Sequence, residues 1–111
     1  SPAMFRASAG AIEHAALCRV TSLPNALGDL RASGALVVGL DMTGASAIDQ
    51  VDLTRPVVIV VGAEGKGLRK PVKGACDTLA RLPMPGPIDS LNASVAVAIA
   101  LYEAVRQRGA R

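Results

Sequence analysis

The stretch PVVIVVG, residues 56–62, restricts the fold more than any other part of the chain. Val57, Val58, Ile59, Val60 and Val61 follow one another with no polar alternation. A strand with one wet face alternates apolar and polar side chains. An unbroken β-branched run needs cover on both faces, which parallel strands gain when helices flank the sheet. ALVVGL, 35–40, reads as a second buried strand, and DTLARLP, 77–83, holds a short third one near 79–82.

Helical patterning falls between these runs. Ser22 is placed to cap a helix over PNALGDLRAS, 24–33, where Leu23, Ala26, Leu27 and Leu30 form an apolar stripe at spacings of three and four. Gly34 ends that helix. FRASAGAIEHAA, 5–16, has modest helical character broken by Gly10, and LCRVT, 17–21, reads as a short strand. DMTGASAIDQ, 41–50, reads as a loop with one helical turn, and GAEGKGLRK, 62–70, as a glycine-rich connection into a short helix.

A closing helix is expected from Ser90 or Leu91 to about Gln107. Its first half, LNASVAVAIAL, is apolar on nearly every side and must be surrounded by protein. In a domain this small, a subunit interface is the economical way to surround it. Strands alternating with helices define a mostly parallel α/β sheet in a single domain over residues 1–111. Such sheets bind ligands beyond the C-terminal ends of their strands. Segments 62–69 and 83–90 follow strands and belong at that edge.

Composition removes several classes of chemistry. Cys18 and Cys76 are the only cysteines, without CxxC spacing, and His14 is the sole histidine. A thiolate zinc site, a multi-histidine metal site and a disulfide scaffold are therefore not expected. Asp41, Asp49, Asp52 and Asp89 lack the spacing of a shared site, so no metal is expected. The longest apolar stretch, 95–101, is far short of the roughly 20 residues that span a bilayer. A cytoplasmic protein with reduced thiols and no membrane partner is expected. Twelve Lys and Arg against nine Asp and Glu give +3, which suits a polyanion without demanding one.

Two segments carry the chemistry. In VVGAEGKGLR, 60–69, Gly62, Gly65 and Gly67 permit sharp turns or close approach to a ligand. The pattern is neither the dinucleotide fingerprint nor a P-loop. Glu64 within it is either solvated, a backbone cap, or a polar group of a site. In LPMPGPIDSLNASVAVAIALYEA, 82–104, a proline-rich loop delivers Asp89, Ser90 and Asn92 to a helix start. Ser90 suits an N-cap. Asn92 sits in an apolar first turn, where an unpartnered buried amide costs about 1–3 kcal/mol. It must bond either within the protein or to a ligand.

GAEGKGLR at 62–69, followed by RLPMPGPIDSLNASVAVAIALYEA at 81–104, resembles motifs 2 and 3 of the SpoU/TrmH family of RNA ribose methyltransferases, of the SPOUT class. SAGAIEH and RVTSLPNAL resemble the family's middle region, so the likeness covers essentially the whole chain. It is most similar to the group that methylates a guanosine of 23S ribosomal RNA. The resemblance implies a deep C-terminal trefoil knot and transfer of methyl from S-adenosyl-L-methionine to a ribose 2′-hydroxyl of structured RNA.

The resemblance also implies site roles. The cofactor would be held by Gly62, Gly65, Leu82, Met84, Ile88 and Leu91. Glu64, Ser90 and Asn92 would stand at the reacting centre. Lys66, Arg69, Lys70 and Lys73 form a basic cluster that would meet RNA phosphates, and its alternative is a solvated basic face. Arg106, Arg108 and Arg111 read as a solvated terminal run. A homodimer packed through the last helix is implied.

One departure stands out. The family's reactive Arg belongs to motif 1, an Asn–x–x–x–x–x–Arg-like segment, and this chain begins after it. Asn25 and Arg31 reproduce that separation but belong to the middle region. The chain therefore reads as a partial SPOUT catalytic domain, a poor catalyst alone even with cofactor bound. Two alternatives remain open: a non-catalytic RNA-binding or ribosome-assembly remnant of the same fold, and an unrelated nucleotide-binding α/β domain.

Overall fold

The computed structural model describes residues 4–9, 12–18, 23–62, 68–83 and 93–109. In chain order these form β1 (Met4–Ala9), β2 (Ile12–Cys18), α1 (Leu23–Ala32), β3 (Leu36–Leu40), β4 (Ser46–Ala47), a 3₁₀ turn (Ile48–Gln50), β5 (Val57–Val60), α2 (Lys70–Gly74), β6 (Thr78–Arg81) and α3 (Ala93–Gln107). Four strands make one sheet in the order β4–β6–β3–β5. Every pairing in it is parallel. The parallel α/β expectation holds.

The valine run explains why. Along β5, Val57, Ile59 and Val61 pack on a cluster with Val38, Leu40, Ile48, Val51, Leu53, Ala80, Ala96, Ala100 and Ala104. Val58 and Val60 turn the other way, into a cluster with Leu27, Val37 and Leu68. Alternate residues of one strand thus enter two cores, one under α3 and one under α1 and α2. β3 does the same, with Val38 and Val37 both fully buried on opposite faces. Each full burial of such a side chain is worth about 1.5–3 kcal/mol.

Helix α3 meets the sheet through Ala96, Ala100 and Ala104, one residue per turn and all buried. Small side chains at that spacing let the helix axis approach the strands closely. The helix is not covered all round, however: Val95 is 46% and Tyr102 69% exposed. Helix α1 buries Leu27 and half-buries Leu23, while Leu30 at the end of the same stripe is 40% exposed. Gly34 follows with φ +104°, the left-handed conformation that glycine adopts without strain.

Two local expectations need correction. Residues 5–9 and 12–16 are strands and not helix: β1 and β2 pair antiparallel, from Met4 with Cys18 to Ala9 with Ile12. The pairing is between residues distant enough along the stretch that its helical propensity masked it. The stretch 41–50 contains the helical turn but also β4, which pairs with β6 at the sheet's edge. Two residues are too few for any periodicity to register.

Candidate active site

Because all four strands of the main sheet run the same way, their C-terminal ends share one edge. There, β3 pairs Gly39 with Val60 and Leu40 with Ala80. Just beyond these pairs stand Asp41 after β3, Gly62 after β5 and Leu82 after β6. Strands β5 and β6 flank β3, so Gly62 and Leu82 lie two strand spacings apart, about 10 Å. The structure thus brings both to one edge, with Asp41 between them.

Gly62 is half-buried and offers only backbone. Leu82 is half-buried and packs against the α3-side core. It is a core residue and also an apolar group at the strand ends. Gly65, Met84, Ile88 and Leu91 lie outside the described residues, as do Glu64, Ser90, Asn92 and Lys66.

Arg69, Lys70 and Lys73 are brought together on one turn. Arg69 is the N-cap of α2, Lys70 its first residue, and the Lys73 amide donates to the Arg69 carbonyl at 2.9 Å. Residues three and four apart share a helix face, so Lys73 in the last turn of α2 lies on the side of Arg69 and Lys70. Arg69 and Lys70 are exposed and Lys73 is half-buried. Buried Leu68, immediately before them, fixes this turn to the α1-side core.

Asp41 is the polar residue that spacing alone passed over. Its Oδ1 accepts the Thr43 amide at 2.9 Å and the Thr43 hydroxyl at 2.6 Å. Its Oδ2 faces Lys73 Nζ at 3.4 Å. The Thr43 bonds foremost, with help from Lys73, hold its carboxyl below the ordinary range against the opposing cost of burial. Only the fold joins residues thirty-two positions apart (73 − 41). Among the described residues, no group of three or more His, Cys, Asp or Glu side chains is arranged to hold a metal.

Arg106 and Arg108 are exposed, as expected of a solvated run, and both also make hydrogen bonds. Arg106 makes two bonds to Glu103, at 2.8 and 2.7 Å. Arg108 donates to the carbonyls of Leu53 at 3.0 Å and Arg55 at 2.8 Å, tying the end of α3 to the approach to β5. Arg111 lies outside the described residues. Cys76 is half-buried with its thiol pushed up by burial, which makes it a poor nucleophile.

The family model for SpoU rRNA methylases matches residues 1–102. The chain belongs to the SpoU rRNA methylase family. An uncharacterized tRNA/rRNA methyltransferase of Mycobacterium ulcerans is 49% identical to this SpoU-family chain over 104 residues, 94% of the chain and 34% of that relative. The chain therefore spans about a third of the length of the curated relatives it matches. The crystal structure of the A. aeolicus TrmH/SpoU tRNA modifying enzyme superposes with a TM-score of 0.73 and 36% identity, covering 81% of this chain and 46% of that one. AviRb, a SpoU methyltransferase from Streptomyces viridochromogenes solved in complex with the cofactor AdoMet, gives 0.66 and 37%, covering 76% and 34%.

Proposed function

We propose that this chain is the cofactor-holding part of an RNA ribose 2′-O-methyltransferase that uses S-adenosyl-L-methionine. The observation that carries the reading is the placement of Gly62 and Leu82 at one edge of a parallel sheet, beside the cationic start of α2. The donor set fits such a group. Gly62 leaves backbone open to approach, and Leu82 supplies an apolar wall suited to an adenine face. Gly65, Met84, Ile88 and Leu91 complete the proposed wall. When bound, the cofactor supplies a methyl group on a sulfonium centre.

This chain's own residues do the positioning. Asn92 and Ser90, which precede α3 in sequence, orient the ribose hydroxyl and the groups around it, and Glu64 orients the neighbouring basic groups. Alignment of reactants contributes much of the acceleration in such a transfer. None of the three is proposed as a sufficient general base. The motif 1 arginine has no assigned counterpart among the residues proposed for the site.

Residues 1–111 are proposed as one part of a SPOUT catalytic domain, knotted at its C-terminal end as resemblance to the class implies. A homodimer is supported by the exposed stripe Val95, Ala98 and Tyr102 on α3. A cytoplasmic setting accords with the absence, among the described residues, of a helix long and apolar enough to cross a membrane. The target is proposed as a guanosine of large-subunit ribosomal RNA, with transfer RNA the second substrate to try.

The test is to incubate the full-length protein with labelled methyl donor and total RNA, then map the label. A methylated ribose 2′-oxygen is expected. Label on a base, or RNA binding with no transfer, overturns the reading, the latter in favour of a non-catalytic RNA-binding protein.

A further inference from the structure

The side chain of Asp41 is 8% exposed, and Thr43 alone already satisfies its Oδ1 with two donors. Its backbone is equally fixed, since the Asp41 amide donates to the Ala80 carbonyl of β6 at 2.9 Å. Asp41 is therefore a rigid group, whereas Lys73 opposite it has a flexible stem and a 37% exposed side chain. In the pair the rigid partner orients the flexible one. An ammonium carries three hydrogens, and facing one carboxylate oxygen leaves two for another acceptor. Arg69 and Lys70 stand on the same turn, so three cations outweigh the one carboxylate there.

We propose that Asp41 is a positioning residue that holds the Lys73 ammonium at the strand ends for one RNA backbone phosphate. The inference rests on the RNA methyltransferase reading and names a part of its RNA site. A lysine fixed in advance loses less freedom when phosphate arrives, and its charge stays beside Asp41 instead of sweeping the surface. Phosphate contacts of this kind set register on the nucleic acid without reading sequence.

The test uses the full-length protein with Asp41→Asn, Lys73→Met (which keeps the apolar part of the stem) and the double variant. RNA affinity is measured across a salt series, and kcat and KM for RNA are measured separately. Lys73→Met is expected to weaken RNA binding about fivefold at low salt, the size of one exposed charge contact. It should also reduce the slope of log affinity against log salt by about one. Asp41→Asn should raise KM for RNA with kcat kept within about twofold, and should add nothing in the Lys73→Met background. Lys73→Arg should restore most of the affinity.

A slope unchanged in Lys73→Met overturns the proposal, since a purely structural ion pair leaves it alone. An Asp41→Asn effect as large without Lys73 as with it also overturns it. Failure of the unaltered protein to methylate any RNA counts instead against the parent reading, and the salt series still decides whether Lys73 meets a phosphate.

Discussion

The side-chain carbonyl of Gln107 accepts the backbone amide of Leu53 at 2.7 Å, joining the last turn of α3 to the segment that leads into β5. Leu53 is fully buried, so no water replaces that bond. The Gln107 amide group also donates to the Val51 carbonyl at 2.9 Å and to Glu103 at 2.8 Å. Gln107→Ala is expected to destabilise the fold by about 1–3 kcal/mol, because the Leu53 amide is left buried and unpaired. Denaturant unfolding measures the loss, and faster hydrogen exchange at the Leu53 amide locates it. A change below about 0.5 kcal/mol contradicts the assignment.

Gly44 sits where a Cβ would lie 2.7 Å from the Leu79 carbonyl oxygen and 2.8 Å from the Ala80 carbonyl carbon. Both are backbone atoms of β6, which cannot swing aside. Gly44→Ala is expected to cost about 1–3 kcal/mol and to disturb the Arg81 bond to the Gly44 carbonyl. Gly28, inside α1, has nothing within 4 Å of its built Cβ. Gly28→Ala should raise stability by about 0.5–1 kcal/mol through helix propensity. Melting curves of the two variants should therefore move in opposite directions, and a shared direction refutes the contrast.

Acid should weaken the fold through Asp41 and Glu103. Thr43 hydrogen bonds lower the first, and the Arg106 guanidinium foremost, with Gln107, lowers the second. A carboxylate with a depressed folded value binds fewer protons than it does unfolded. Its contribution is complete above the ordinary carboxylate range and disappears as pH falls through the folded value. The urea midpoint should stay level near neutrality and fall below about pH 4, with a shallower fall in Asp41→Asn. A wild-type midpoint that stays level down to about pH 2 counts against this account.

Transfer and binding should separate at the proposed centre. Asn92→Ala is expected to slow single-turnover methyl transfer by about tenfold or more, roughly 1.4 kcal/mol, while RNA affinity changes little. Leu91→Arg should instead weaken cofactor binding in calorimetry, because charge would enter the proposed apolar wall. Equal losses of transfer and RNA affinity in Asn92→Ala argue against its proposed role.

Much of the architecture was legible in local pattern. Val57 to Val61 demanded cover on two faces, and the two cores supply it. Leu23 and Leu27 gave the inward side of α1, and Gly34 its end. The pairing of β1 with β2 was not legible, because FRASAGAIEHAA contains helix-favouring residues. Arg108 is exposed, as a solvated run implies, but its bonds were not legible for a different reason. Its acceptors are carbonyls of Leu53 and Arg55, more than fifty positions earlier, which no pattern near residue 108 reveals.

The same division runs through the site. Glycine spacing at 62–69 and the proline-rich passage at 82–104 mark the candidate chemistry in the order of residues, since backbone freedom and capping are local properties. Parallel pairing is what set Gly62 and Leu82 on either side of β3, and what set Asp41 against Lys73. Strand order depends on which buried faces find each other, a sum over contacts distant along the chain. Local sequence therefore determined which segments could serve, and tertiary packing decided which of them meet.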